Sequence, residues 1–379
     1  MRATSTKGVY GDLGVRRVIN AVGSMTLLGG SMLSPAVLAA MEEANESFVD
    51  MAELLDRSGR TIAEILGAEA ALVTSGCFAA LAQGAAAVMT GADAGKIARL
   101  PDTTGMRNEF LIQESTRYHY DRAPTVAGGT LVEFGGPQRA TLAELDAAIG
   151  PRTAGILYPA RFEGTDGILS IPDVVNLARQ KGIAVLIDAA AEVYPLERMR
   201  WLASKSGADL VGFGAKYLGS ANSTGFMVGR KDVVAAAALN GFIAFETHDN
   251  QAFGRGFKVD RQEIVATVVA VREWFAADHA ARFAEQERRI DTIARALAGL
   301  AGIEMERIHP HGGPWLQLRL GFERPRGGQA AADIERMLRE GDPSVRVRLD
   351  GESLLVYANN LKAGEDVIVA DRLRRVLTA

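Results

Sequence analysis

Two residues that could do chemistry stand at the ends of two apolar runs. Asp188 closes the run at residues 183–188, and Lys216 follows the run at residues 210–215. A continuous apolar run bounded by glycine and small residues is typical of a strand in a parallel sheet that is buried on both faces. Because ligands of such sheets bind at the carboxyl ends of the strands, both side chains would enter one crevice. A lysine for a Schiff base and an aspartate that keeps a pyridine nitrogen protonated are what pyridoxal phosphate needs, so the sequence predicts this cofactor.

The surroundings of Lys216 favour a catalytic amine over an ordinary surface lysine. No other charged residue lies at positions 210–215, and glycines stand at positions 212, 214 and 219. We expect such an amine to be partly desolvated, which lowers its pKa as a Schiff-base lysine requires. Two ordinary roles remain open: Lys216 could be a solvated surface charge, and Asp188 could be a helix cap or a strand-end turn.

Five further residues could bind the cofactor or the substrate. Ser75, Gly76 and Cys77 lie where a predicted strand turns into a helix, and the free N–H groups of a helix start can bind an anion such as a phosphate. The alternative is an ordinary serine cap. Thr224 follows the lysine loop and could contact the phosphate or simply form a turn. Arg255, in a glycine-rich joint, could bind a substrate carboxylate or be a solvated linker charge.

The composition is that of an ordinary globular protein and excludes several classes of function. The chain has 379 residues, 48% hydrophobic and 23% charged, with a net charge of −4 and no long basic run, so we expect no nucleic-acid partner. Cys77 is the only cysteine, which fits a reducing cytoplasm. The start lacks a signal-peptide core, no apolar stretch is long enough to span a membrane, and His309 and His311 form no zinc pattern. We therefore predict a cytoplasmic protein without a membrane partner or a metal.

The order of the patterns predicts an arm and two domains. Residues 1–45 form the arm, residues 46–258 a large cofactor-binding domain, and residues 259–379 a small C-terminal α+β domain with a linking helical region at 261–298. In the large domain, predicted strands alternate with predicted helices, which indicates an α/β sheet covered on both faces. The predicted strands are 68–74, 109–113, 130–134, 154–158, 183–188, 210–213 and 225–228.

Several motifs together resemble the fold-type-I pyridoxal-phosphate enzymes, in particular the group of selenocysteine synthase and D-glucosaminate-6-phosphate ammonia-lyase. The motifs cover nearly the whole chain and are VINAVG at 18–23, GAEAALVTSG at 67–76, KIARLPDTTG at 96–105, LIDAAAE at 186–192, GAK at 214–216 and GRGFKVDR at 254–261. The resemblance implies an aminotransferase-like fold with a large, mostly parallel, seven-stranded-type sheet. It also implies a homodimer or larger assembly with active sites at subunit interfaces.

The resemblance assigns roles by position. Lys216 would be the Schiff-base lysine and Asp188 the partner of the pyridine nitrogen, residues 75–77 would form the phosphate cup, and Arg255 would face the substrate. The chain departs from its relatives in three places. The lysine loop is one residue shorter and lacks a serine, SANS at 220–223 replaces GPQS, and Thr116 stands where relatives often have a histidine that packs on the cofactor ring. Tyr118 or His119 could compensate, and the departures argue for a different substrate.

The resemblance favours a lyase that acts on a small amino acid. The substrate amine would displace Lys216 from the cofactor, Lys216 would remove the α-proton as a general base, and a β-hydroxyl would leave. An ammonia-lyase or dehydratase of a hydroxy amino acid is therefore the expected activity. A racemase or epimerase, an aldolase and a transaminase remain open, because they share the first steps. A non-catalytic cofactor-binding protein is the alternative of another class, although a chain without catalysis has no physical reason to retain a costly buried pair.

Overall fold

The computed structural model describes residues 8–247, 251–310, 315–322 and 331–378. They form two compact units: one extends from Met32 to Ala276, and the other joins the described residues before Met32 with those from Ala277 onward. The boundaries differ from the expected ones, since residues 8–31 group with the C-terminal segment and the helix at 261–276 groups with the large unit. Of the two histidines that form no zinc pattern, His311 lies outside the described residues.

Both units contain strands as well as helices. The strands are β1 (Val18–Asn20), β2 (Ala70–Thr74), β3 (Glu109–Gln113), β4 (Thr130–Phe134), β5 (Thr153–Pro159), β6 (Ala184–Asp188), β7 (Leu210–Gly214), β8 (Gly225–Gly229), β9 (Ile303–Ile308), β10 (Gln317–Phe322), β11 (Ser344–Arg346), β12 (Arg348–Asp350) and β13 (Ser353–Tyr357). The helices are α1 (Val9–Asp12), α2 (Pro35–Asn45), α3 (Met51–Leu66), α4 (Cys77–Thr90), α5 (Ala94–Arg99), α6 (Ala123–Val126), α7 (Leu142–Ala148), α8 (Ile171–Lys181), α9 (Leu196–Ser204), α10 (Lys231–Leu239), α11 (Phe242–Thr247), α12 (Arg261–Ala276), α13 (His279–Leu297), α14 (Ala331–Glu340) and α15 (Glu365–Thr378).

The large unit is built on a seven-stranded sheet with the order β2-β8-β7-β6-β5-β3-β4. All neighbouring strands are parallel except β8, which runs antiparallel to β2 and β7. Every residue of β5, β7 and β8 is buried. Strands buried on both faces need covering helices, and continuous apolar sequence is their signature. The predicted mostly parallel, seven-stranded α/β sheet is confirmed.

The helix starts in the large unit follow from local side-chain chemistry. Ser34 caps α2 by accepting a hydrogen bond from the N–H of Val37 at 3.1 Å, and Pro35 occupies the first turn. A proline there sacrifices no hydrogen bond and already has the helical φ angle. Thr141 and Glu144 form a reciprocal capping box at the start of α7. Both helix starts are thus marked by residue types that are visible in the sequence.

The small unit contains an antiparallel sheet of order β12-β13-β10-β9, and β1 pairs in parallel with β11. The predicted helical region at 261–298 is helical and consists of two helices: α12 ends at Ala276, and Asp278 caps the start of α13 by accepting from the N–H of Ala281. The sequence pattern also missed β9 and α14. The side chains of β9 are at most partly buried, so the strand lacks a marked apolar alternation.

The contact between α3 and β2 requires a glycine. A Cβ on Gly59 would lie 2.1 Å from the carbonyl oxygen of Ala71, which is shorter than any allowed van der Waals distance between these atoms. We expect Gly59→Ala to lower the free energy of unfolding by about 1–3 kcal/mol, because α3 must move away from the sheet. A Cβ on Gly150 meets nothing within 4 Å, so Gly150→Ala should stay within about 0.5 kcal/mol of the wild type. Urea unfolding of both variants checks this, and equal stabilities would contradict it.

Candidate active site

The carboxyl ends of β5, β6 and β7 bring the predicted catalytic pair together. Asp188 is the last residue of β6, and it pairs with Pro159, the last residue of β5, and with Gly212 in β7. Lys216 lies in a 3-10 turn, Ala215–Leu218, that begins directly after β7. The structure therefore places both residues at the same edge of the sheet, on neighbouring strands, as the sequence pattern predicted.

The Asp188 carboxylate is buried and accepts three hydrogen bonds. Its Oδ1 accepts from the N–H of Ala190 at 2.9 Å and from the Cys77 thiol at 3.4 Å. Its Oδ2 accepts from the Tyr118 hydroxyl. Only 9% of Asp188 is exposed, and a buried charge needs such donors to offset its lost hydration. The three donors fix the orientation of the carboxylate at the strand end.

Cys77 donates to Asp188 and is not a nucleophile. Burial and the neighbouring Asp188 charge raise the pKa of the Cys77 thiol well above its ordinary value, so the thiol keeps its proton. A Cβ at position 212 would lie 3.0 Å from the Cys77 sulfur, which explains why glycine stands there. Only a thiolate is strongly nucleophilic. Cys77 is therefore a small, packed side chain that holds the carboxylate in place.

The amine of Lys216 is half-buried, and burial lowers its pKa. A lower pKa raises the fraction of neutral amine, the form that attacks a carbonyl or removes a proton. The Lys216 Nζ lies 5.0 Å from the centroid of the Tyr217 ring. Thr224 shapes this loop, because its carbonyl oxygen accepts from the N–H of Ala215 at 3.0 Å. The Thr224 hydroxyl is buried and donates to the Ala221 carbonyl at 2.8 Å, so its hydrogen bond stabilises the loop after Lys216.

The predicted anion site at Ser75, Gly76 and Cys77 lies between β2 and the start of α4. Gly76 has φ 92°, a left-handed conformation that favours glycine. The first helical hydrogen bond runs from Ala80 N–H to the Gly76 carbonyl, so the N–H groups of the first turn point out of the helix end. A Cβ on Gly225 of β8 would lie 2.6 Å from the Cys77 nitrogen, so glycine keeps the backbone cradle open. Backbone donors, a carboxylate and a desolvated amine together fit pyridoxal phosphate.

From the sequence, Tyr118 was only one of two residues that could compensate for Thr116, but the structure places it in the site. Thr116 is buried and donates its hydroxyl to the Gln113 carbonyl at 2.8 Å, whereas the Tyr118 phenol reaches Asp188. Burial and then the Asp188 charge raise the pKa of Tyr118, so the phenol remains a donor at any physiological pH. Its ring lies edge-on to Phe162, with the centroids 6.3 Å apart. Thr116 replaces the histidine that relatives often have, and this replacement was the signal in the sequence that a nearby aromatic residue takes its place.

A buried acid positions Tyr118. Asp121 is 2% exposed, and its Oδ2 accepts from the N–H of Tyr118 at 3.1 Å and from Nε of Arg117 at 2.5 Å. Burial of this carboxylate is tolerable because the Arg117 guanidinium pairs with it. The segment from Arg117 to Asp121 is therefore a closed turn that presents the phenol to Asp188.

The Tyr118 hydroxyl should stabilise the cofactor-free protein. We expect Tyr118→Phe to lower the free energy of unfolding by about 1.5–3 kcal/mol, because the bond it removes has a charged acceptor. Tyr158→Phe is the matched control, since the Tyr158 hydroxyl donates to the neutral carbonyl of Leu169 at 2.8 Å and should cost about 0.5–1.5 kcal/mol. Urea unfolding measures both. A loss for Tyr118→Phe no larger than that of the control would contradict the charged bond.

Arg255 is the predicted site residue that the structure does not join to the others. Within the described residues its Nε pairs with Glu246 at 2.6 Å, and its guanidinium lies 5.8 Å from the Phe245 ring centroid. The pair with Glu246 is partly exposed, and such pairs contribute little to stability. The role of Arg255 toward a substrate stays a prediction.

The described part of the chain holds neither a metal cluster nor a membrane span. Across residues 8–247, 251–310, 315–322 and 331–378, no three His, Cys, Asp or Glu side chains converge where a metal ion could bind. In those residues, too, no helix has the length and apolar character needed to cross a membrane.

The chain is similar to curated enzymes along nearly its full length. It is 30% identical over 382 residues to D-glucosaminate-6-phosphate ammonia lyase of Salmonella typhimurium, covering 98% of each chain. It is 32% identical over 348 residues to 5'-C-glycyluridine monooxygenase-decarboxylase of a Streptomyces species, covering 89% of this chain and 84% of the relative. L-seryl-tRNA(Sec) selenium transferase of Moorella thermoacetica is 24% identical over 97% of this chain and 83% of its own. A search with protein-family models found no match.

Solved structures give the same result for the fold. The structure of D-glucosaminate-6-phosphate ammonia-lyase superposes with a TM-score of 0.85 at 28% identity, covering 98% of this chain and 99% of that one. Serine palmitoyltransferase of Sphingomonas wittichii superposes with a TM-score of 0.58 at 13% identity, covering 95% of this chain and 87% of the other. The second likeness supports the fold alone.

Proposed function

We propose a lyase activity for this chain, which belongs to the fold-type-I pyridoxal-phosphate enzymes of the D-glucosaminate-6-phosphate ammonia-lyase and selenocysteine synthase group and is a pyridoxal-phosphate-dependent enzyme. The proposed reaction is an α,β-elimination on a small hydroxy amino acid that releases ammonia. One observation carries the proposal: Asp188 and Lys216 emerge side by side at the carboxyl edge of a sheet whose fold matches an ammonia-lyase along its whole length.

The residues that would hold the cofactor follow from the donors in the structure. Lys216 would hold its aldehyde carbon, Asp188 its pyridine nitrogen, and the N–H groups that follow Gly76 its phosphate. When bound, pyridoxal phosphate supplies an electron sink that lowers the cost of removing a proton from the α-carbon of an amino acid. Each remaining task in the reaction falls to side chains of this chain.

Lys216 is the general base of the proposed reaction. Its Nζ is partly desolvated, and burial lowers its pKa, which raises the fraction of neutral amine that can act as a base. The amine accepts the α-proton and can return it to the departing hydroxyl as water leaves. Ala190, Cys77 and Tyr118 donate hydrogen bonds that stabilise the Asp188 carboxylate, and its charge favours a protonated ring nitrogen.

The net reaction balances without an oxidant. The substrate loses its α-proton and β-hydroxyl as water, and hydrolysis of the resulting enamine consumes one water and gives a 2-oxo acid and ammonia. The ring of Tyr217 lies beside the Lys216 amine, with 5.0 Å between its centroid and Nζ, and shields one side of the amine from solvent.

An oxidative decarboxylation is the second candidate. The relative that supports it is the 32% identical enzyme whose name describes a monooxygenase-decarboxylase. The two activities differ in their products, since oxidation consumes dioxygen and releases carbon dioxide whereas the proposed elimination does neither. A single assay can therefore separate them.

The experiment offers a panel of D- and L-hydroxy amino acids, with and without a phosphate group, to the protein loaded with pyridoxal phosphate. Ammonia, 2-oxo acid, carbon dioxide and dioxygen are each measured. Equal yields of ammonia and 2-oxo acid without consumption of dioxygen support the lyase. Dioxygen uptake with carbon dioxide release would favour the second candidate, and racemised or cleaved substrate without ammonia would contradict the lyase.

We also propose that the enzyme is a cytoplasmic homodimer or larger homo-oligomer. The described surface carries large apolar side chains in its N-terminal part, including Leu27 (82% exposed) and Phe48 (93% exposed). Exposed apolar groups of this size often mark contacts between protein chains. Light scattering of the purified protein tests the assembly, and a monomer at micromolar concentration would contradict it.

A further inference from the structure

A third ionisable group stands at the sheet edge beside Asp188 and Lys216. β5 ends at Pro159, the residue paired with Asp188, and the chain continues directly into the 3-10 turn Ala160–Phe162. Arg161 is the middle residue of this turn. Three neighbouring parallel strands, β5, β6 and β7, thus lead at the same edge into an arginine, an aspartate and a lysine.

The surroundings of Arg161 belong to the active site. Its guanidinium carbon lies 5.2 Å from the centroid of the Phe162 ring, and that ring lies edge-on to Tyr118, which donates to Asp188. Burial raises the pKa of Tyr217, and the charge of Arg161 opposes that rise. The Lys216 amine lies beside the same Tyr217 ring, 5.0 Å from its centroid, so Arg161 and Lys216 both lie in the neighbourhood of Tyr217.

The other arginines near this edge of the sheet form ion pairs with carboxylates, and Arg161 differs from them in this respect. Arg117 pairs with Asp121 and Glu133, Arg198 with Glu163, and Arg255 with Glu246. For Arg161 the described residues supply a ring contact but no carboxylate within 4 Å. A planar guanidinium held by a ring and not already paired is well suited to bind a carboxylate or phosphate through two parallel hydrogen bonds.

We propose that Arg161 binds an oxyanion of the amino-acid substrate, either its α-carboxylate or a phosphate carried further along it. This inference rests on the proposed function and assigns the recognition of the substrate, which the sequence had placed at Arg255. Arg161 is a substrate-binding residue, and it leaves the proton transfer to Lys216. Arg255 is already paired with Glu246. The register of β5 against β6, in contrast, places Arg161 two residues beyond the strand end that lies beside Asp188.

The test measures binding through the absorbance change of the bound cofactor, so turnover is not needed. The variant is Arg161→Met, which keeps a long side chain over Phe162 but removes the charge. We expect it to weaken binding of the recognised probe by roughly 10- to 150-fold, the effect of losing hydrogen bonds to a charged group. Cofactor content should equal that of the wild type. Arg139→Met is the matched control, an exposed arginine after β4 at the far end of the sheet, and should change binding less than twofold.

Two pairs of probes distinguish the source of the oxyanion. If Arg161 binds the α-carboxylate, Arg161→Met weakens binding of D- or L-serine and leaves the corresponding serinamide unchanged. If Arg161 binds a phosphate, the variant weakens binding of D-glucosaminate 6-phosphate and leaves D-glucosaminate unchanged. A phosphate result would place the substrate near that of the ammonia lyase relative.

Three outcomes would overturn the inference: Arg161→Met within twofold of the wild type for all four kinds of probe, an effect that appears in Arg255→Met instead, or a wild type that binds none of these probes. The proposed function fails separately. If the wild type binds a probe through Arg161 but releases no ammonia from any substrate, the lyase proposal falls and the assignment of Arg161 stands.

Discussion

Lys216→Ala should lower turnover by at least about 10³-fold, because one amine both holds the cofactor and acts as the general base. The burial that lowers the pKa of Lys216 prepares it for both tasks. Removing the side chain leaves a partly open site, so we expect the variant to fold and to unfold at nearly the wild-type urea concentration. Initial rates of ammonia release, measured with the best substrate of the panel, give the size of the loss.

Lys216→Arg and Lys205→Ala complete this experiment. The arginine variant keeps a positive charge but cannot act as a neutral amine at physiological pH, so it should be as inactive as the alanine variant. Lys205 is exposed after α9, and its replacement should leave the rate within twofold of the wild type. Retention of one tenth or more of the activity in Lys216→Ala would remove Lys216 from the mechanism.

Asp188→Asn should give the second largest loss, roughly 10²- to 10³-fold in turnover, which is the usual cost of removing one preorganised electrostatic partner. The asparagine has the same size and can still accept from the N–H of Ala190, but it carries no charge to hold the ring nitrogen protonated. The rate falls even with the cofactor bound, because the electron sink is weaker. Rates at saturating pyridoxal phosphate measure this effect apart from cofactor affinity.

Asp166→Asn is the matched control for Asp188→Asn. Asp166 is an exposed acid in the loop after β5, near the same edge of the sheet, and its replacement should leave the rate within twofold. A loss of less than tenfold in Asp188→Asn at saturating cofactor would contradict the assigned role. In that case the carboxylate would serve only to hold Cys77 and Tyr118 in place.

The centre of the sheet was predictable because its strands are buried on both faces. Such strands must be continuous apolar runs, and these runs are visible in the sequence at β5, β6 and β7. Once the strands are known to be parallel and adjacent, Asp188 and Lys216 must emerge at one edge. The small unit was harder: β9 is at most partly buried and lacks a clear period, and the break between α12 and α13 depends on the single cap at Asp278.

The remaining site residues could not be read from spacing alone. Tyr118 contacts Asp188 from a turn that Asp121 closes, and the residue pattern of this turn is typical of many loops. Arg161 follows β5 by two residues, and its place depends on the register of β5 against β6. Arg255 shows the opposite case, since its glycine-rich setting suggested substrate binding whereas the structure pairs it with Glu246.

The lysine that holds the cofactor can be identified by chemical trapping. The protein is loaded with pyridoxal phosphate, reduced with borohydride to fix the cofactor on the amine that holds it, digested, and examined by peptide mass spectrometry. We expect one stoichiometric pyridoxyl label on the peptide that contains Lys216, and its absence in Lys216→Ala. A label on another lysine, or a protein that takes up no label at all, would contradict the assignment of Lys216 and with it the proposed site.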